Sequence, residues 1–164
     1  MSLFTIVTVL CALGAGLTAG IFYAFSTFVM AALARLPPPD GIAAMNAINV
    51  TVINPWFMAV FMGTPLLCAV VAILALLNWS APGSAIILIA ALLYVVSSFL
   101  VTIIFNVPLN NALAAVSPTS PEGAALWTRY LADWTFWNHV RTALPLVATA
   151  LFIVGLLLQR NASP

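Results

Sequence analysis

The sequence predicts an all-α, polytopic membrane protein: a four-transmembrane-helix bundle with an extra interfacial helix or helical extension before the last span. Three observations carry this. Of the 164 residues, 65% are hydrophobic and 4% charged, with a mean hydropathy of +1.20, where a water-soluble globule has about 25% charged residues. Long apolar stretches recur along the chain, and at about 20 residues per crossing there is room for four spans, at most five. The charges are Arg35, Arg129, Arg141 and Arg160 against Asp40, Glu122 and Asp133, a net +1 with no Lys, which leaves no basic footprint for nucleic acid. The expectation is one domain over residues 1–164, integral to an inner (plasma) membrane, in an orientation that the arginines leave open.

The first span is read from Leu3 to Leu33. It is much longer than the roughly 7 to 15 residue core of a signal peptide, so it is expected to stay as a membrane helix. Ala12, Gly16, Gly20 and Ala24 recur along it at four-residue spacing. No hydrophobic force joins helices within lipid, and small residues supply packing by letting backbones approach. The stripe is therefore expected to seat another helix of this chain or of a twin subunit, and a homo-oligomer through these four residues is the expectation. Cys11 and Cys68 lie inside apolar runs and read as small buried hydrophobes rather than a disulfide. With no CxxC, CxxCH or HxxxH in the chain, the signals for a metal site or attached haem are missing.

Arg35-Leu-Pro-Pro-Pro-Asp40 ends the first helix, because consecutive prolines cannot occupy a helix interior. Asp40 is the expected N-cap of a helix over Ile42 to Ile53, whose Asn46, Asn49 and Asn54 suit an interface or the bundle interior better than lipid. Asn54-Pro55 interrupts it. The second span is residues 56–78, with a kink expected at Gly63-Thr-Pro65, and Asn78 to Ser84 is a turn with Trp79 at interfacial depth. The third span, 85–105, is polar on one side through Tyr94, Ser97, Ser98 and Thr102. Asn106-Val-Pro-Leu-Asn-Asn111 follows. Its proline withholds an amide hydrogen, so a disrupted backbone with three amides is expected at the membrane boundary. Ser120-Pro-Glu-Gly starts the next helix, Glu122 to Val140, with a cap, a proline and an acid in the first turn. The last span, about 143–158, starts at Leu144 or Pro145 or continues that helix, and Gln159 to Pro164 is a polar tail.

Polar chemistry concentrates in residues 105–142. Trp127, Tyr130, Trp134, Asn138 and Arg141 fall at offsets 0, 3, 7, 11 and 14, one continuous helical face. His139, the only histidine, lies about 100° further round. With Asn106, Asn110, Asn111 and Trp137 these residues form the candidate site at the mouth between spans, and Asp133 joins the same group. Each has a plainer reading. His139 suits a backbone-bonded interfacial imidazole as well as acid-base work. Arg141 suits a surface anchor that snorkels or pairs with Asp133. Arg129 and Asp133 are an i, i+4 pair, and the tryptophans suit an aromatic belt.

The combination Phe105-Asn-Val-Pro-Leu-Asn-Asn111, Trp127 and Trp134-x-x-Trp-Asn-His-x-Arg141, with Asn54-Pro-Trp-Phe57 and Phe61-Met-Gly-Thr-Pro65, resembles the anthrone oxygenase-like family of small four-helix membrane proteins. That resemblance implies oxidation of a flat hydrophobic phenolic or polyketide-type substrate by dioxygen, with no cofactor, metal or flavin. It casts His139 as the base. Asn110, Asn138 or Arg141 becomes the donor to the enolate oxygen. Trp134 and Trp137 become stacking surfaces, with Asn106, Asn111, Trp127 and Tyr130 completing the substrate site. Two other classes stay open. One is a non-catalytic membrane module that binds a lipid or quinone-like ligand or serves as a helper subunit. The other is a haem or copper protein with His139 as one ligand and a twin subunit supplying another. Transport has least support, since no acidic relay or inverted repeat is visible.

Overall fold

A computed structural model describes residues 2–161. Among these residues are five helices and no strand: α1 (Leu3–Leu33), α2 (Pro38–Thr51), α3 (Pro55–Leu77), α4 (Ser84–Ala115) and α5 (Pro121–Asn161). All but α2 are long and apolar enough to cross a membrane. α1 packs on α3 and α5, and α4 packs on the same two, so the spans form an antiparallel ring in the order α1, α3, α4, α5. Glycines bring the walls together. A Cβ on Gly14 would strike Thr64, and one on Gly155 would strike Ile87. Gly83, with φ of 84°, takes the left-handed geometry that glycine adopts without penalty at the start of α4.

Helix lengths decide where the site falls. α3 has 23 residues and is about 34 Å long, close to the roughly 30 Å of bilayer hydrocarbon. α5 has 41 residues and reaches about 61 Å. The ends of α1, α4 and α5 that overrun the membrane gather on one side, with α2 packed against them where α3 does not reach. Two buried clusters result. One, built on Cys11, Cys68, Val71, Ile87, Tyr94 and Phe152, fills the membrane part. The other, built on Met30, Ile42, Met45, Leu113, Trp127, Tyr130 and Trp134, fills a helical head above it. Gly41 lets α2 close on α5, since a Cβ there would stand 2.7 Å from Trp127 Cζ2.

Several boundaries differ from the sequence reading. Asp40 is not an N-cap: α2 starts at Pro38, with Pro37 at the cap position and Asp40 in the first turn. Prolines fit a first turn because its amides have no helical partner in any case. The Asn106 to Asn111 stretch is not a disrupted bend, and α4 continues through it to Ala115. Two π-helical stretches, Val95–Leu100 and Thr102–Asn106, precede Pro108, and the Val107 amide bonds to the Thr102 carbonyl five residues back. The wider turns take up the proline ring and its missing hydrogen bond without ending the helix. Likewise α3 runs through Pro65 and α5 through Pro145, so the last span and the site-bearing helix are one. The tail is helical to Asn161, and residues 162–164 lie outside the described residues. Of the small-residue stripe, Gly16 lies beside Thr149 of α5 in the same chain, Ala12 lines the same groove, and Gly20 faces open space.

Candidate functional site

Where the head meets the membrane core, the helices enclose a cavity of about 250 Å³, near the lower end of ligand-pocket sizes. α1 contributes Phe22 and Phe25, α2 contributes Met45 and Asn49, and α3 contributes Phe57 and Phe61. α4 adds Thr102 and Asn110, and α5 adds Trp134 and Arg141. The wall is apolar and aromatic apart from a few convergent polar groups.

The inner face of α5 supplies the site's framework. Trp127, Tyr130, Trp134, Asn138 and Arg141 are all buried along it. The rings of Trp127 and Tyr130 lie 5.6 Å apart and those of Tyr130 and Trp134 6.0 Å apart, both stacked. This column leads down from the head to Arg141, which is 4% exposed. Its guanidinium donates to Thr102 Oγ1 and to Asn138 Oδ1, each at 3.0 Å, and lies 4.2 Å from the Phe22 ring centre and 5.0 Å from that of Trp134. Nε is buried without a partner. No carboxylate compensates it. Among the described residues the one ion pair is Arg129 with Asp133, 3.1 Å apart on the exposed side of α5. Arg141 therefore neither snorkels nor pairs with Asp133.

A buried guanidinium without a countercharge costs several kcal/mol unless an anion is supplied. In a membrane protein it marks a functional site by default. Asn138 holds it in place. Its Nδ2 donates at 2.8 Å to the Phe22 carbonyl and at 2.8 Å to Ser26 Oγ, which ties α5 to α1 and turns Oδ1 toward Arg141. Asn110 is fixed in the same way. Its Oδ1 accepts from Tyr130 Oη and Trp134 Nε1, both at 2.8 Å, which leaves its Nδ2 as an unused donor on a residue that lines the cavity.

The remaining candidates lie elsewhere. Asn106 is buried and donates to the Trp134 carbonyl at 3.2 Å, bracing α4 against α5 from outside the cavity lining. Trp137 stacks on Phe105 with ring centres 3.6 Å apart, again outside it. Asn111 and His139 are exposed. The 100° step from Asn138 that separates His139 from the site face turns its imidazole outward, so it does not join the cluster. His139→Gln is accordingly expected to leave stability within about 0.5 kcal/mol of wild type, as a surface substitution away from the site should; thermal unfolding of the two proteins in detergent checks this. No group of three or more His, Cys, Asp or Glu among the described residues is placed to hold a metal ion.

The sequence reading missed Phe22, Ser26, Thr102, Asn49 and the α3 aromatics as site components. Thr102 had a signal, as one of four polar residues on one side of α4. Ser26 and Phe22 had none, because their roles depend on which helix faces them. The π-helical stretches Phe25–Val29 and Thr102–Asn106 both lie at this level of the bundle, where such bulges commonly accompany function.

The fold and site together define an integral membrane protein of four spans that holds an aromatic cavity, with one uncompensated guanidinium, where the bundle leaves the bilayer. The sequence model of the family described as Anthrone oxygenase matches residues 56–151, which cover α3 from Trp56, all of α4, and α5 as far as Leu151. The chain belongs to that family. No curated protein and no solved structure matches it.

Proposed function

We propose that the cavity binds a flat, hydrophobic phenolic or anthrone-type molecule as its enolate and promotes cofactor-independent oxidation by dioxygen. The observation that carries this is Arg141, a buried cation with no protein anion beside it, set in an aromatic wall. Such an arrangement favours an anionic oxygen on a planar apolar body.

The chemistry then needs little else. A methylene between two aromatic rings and para to a carbonyl is acidic, and its enolate is the reductant. It passes an electron to dioxygen, the radical pair joins as a C–O bond, and the resulting hydroperoxide loses water to leave a second carbonyl. Anthrone plus dioxygen gives anthraquinone plus water, with atoms and electrons balanced. Arg141 acts at the first step, where negative charge gathers on oxygen, and a preorganised donor in an apolar site stabilises that charge most. Asn110 Nδ2 is a second donor, and Trp134 supplies the stacking face. Proton removal falls to a solvent base, assisted by the lowered energy of the enolate.

One observation favours a second reading, binding without turnover: no carboxylate or imidazole lines the cavity. Oxygen uptake by purified protein given anthrone separates the two. Catalysis predicts one dioxygen consumed per anthraquinone formed, at a rate well above the protein-free reaction. Binding alone predicts protection of anthrone from spontaneous oxidation.

A further inference from the structure

Two large apolar side chains that line the cavity are also exposed at the surface, Ile53 by 71% and Val107 by 39%. They mark its opening, between the α2–α3 turn and the last third of α4. The surface around the turn is apolar as well. Val50 is 75% exposed and Trp56 87% exposed, a concentration of bare hydrophobic area that signals a contact surface. α3 fixes the depth of this surface. The helix begins at Pro55 and its length matches the hydrocarbon core, so Trp56 in its first turn stands at the interface, where tryptophan is enriched. The turn is also braced. Asn54 Oδ1 accepts from the Trp56 and Phe57 amides at 3.1 Å each, and its Nδ2 donates to the Thr51 carbonyl at 3.0 Å. On the water side, the Trp127, Tyr130 and Trp134 column and α2 close the head.

We propose that the mouth between Ile53 and Val107 opens into the adjoining bilayer leaflet, so that the cavity exchanges its ligand with the lipid phase and not with water. The partner of the Val50, Ile53 and Trp56 surface is the acyl and interfacial region of the membrane. This goes beyond the proposed reaction, since it holds for any hydrophobic ligand of the cavity.

The test uses the full chain in phosphatidylcholine vesicles whose acyl chains are brominated near the headgroup. The part of the tryptophan emission that Trp56→Phe removes is expected to be quenched by these lipids and spared by aqueous iodide. The reverse pattern overturns the proposal. A second arm follows binding of anthracene-9-carboxylate, a flat fluorescent monoanion, by stopped flow. Val50→Glu and Trp56→Glu place a charge on the rim without touching the cavity lining, and each is expected to slow association and dissociation together by roughly threefold, the scale of a charge near a membrane interface, with Kd unchanged. Unchanged rates overturn the proposal, and Val50→Glu decides alone where Trp56→Glu fails to fold. If wild type does not bind the probe at all, the cavity fails as an anion site, and the quenching arm still judges the mouth.

Discussion

Arg141→Met is expected to lower anthrone oxidation by about 10²- to 10³-fold, the usual cost of removing a donor that stabilises a developing oxyanion. Folding should change little: Asn138 Oδ1 loses its donor, at about 1–3 kcal/mol, but the burial cost of the guanidinium is removed with it. The guanidinium has no carboxylate partner, and replacing an uncompensated buried charge by a hydrophobe of similar length is commonly neutral or stabilising. Thermal unfolding in detergent, run beside the oxygen-uptake assay, separates the two effects. Arg141→Lys should rescue little, since a single ammonium cannot fork between Thr102 and Asn138 as the guanidinium does. Thr102→Asp is the complementary change. It sets a carboxylate where Thr102 Oγ1 now receives Arg141, so the protein supplies its own anion, and turnover should fall with the cation still present. Full activity in Thr102→Asp would mean that Arg141 need not face the ligand's charge.

Asn138→Leu is expected to damage both fold and site. Its amide bridges α5 to the Phe22 carbonyl and Ser26 on α1, and its oxygen receives Arg141. Leucine is close in volume, but it strips these partners, and each buried polar group left without one costs about 1–3 kcal/mol, more when charged. A lowered unfolding temperature in detergent should accompany lost turnover, in contrast to the stable, inactive Arg141→Met. Asn138→Leu at wild-type stability would show that the α1–α5 bridge contributes nothing net.

The contrast between these residues and His139 indicates what a sequence of this kind carries. The four spans were legible from apolar run length, because in lipid each backbone polar group must be satisfied within its own helix. The face from Trp127 to Arg141 was legible because a helix repeats at fixed angular steps, and all five residues lie buried along it. His139 stood out for its chemistry, but the same angular step sets it outside. The burial of Arg141 was harder to read, since position along a chain does not distinguish a snorkelling arginine from one enclosed by Phe22 and Trp134. Ser26 was silent for a related reason: a lone hydroxyl in a membrane helix usually bonds to its own backbone, as the neighbouring Thr27 does to the Tyr23 carbonyl. The continuation of α4 through Pro108 depends on π-helical turns that no local pattern announces.

Whether Arg141 holds its ligand as an anion can be read from the absorption spectrum of anthrone bound to the protein without oxygen, at a neutral pH where free anthrone is in its keto form. Wild type should show the spectrum of the enolate and Arg141→Met that of the keto form. A keto spectrum in both proteins, with anthrone bound equally well, would rule out an anionic ligand.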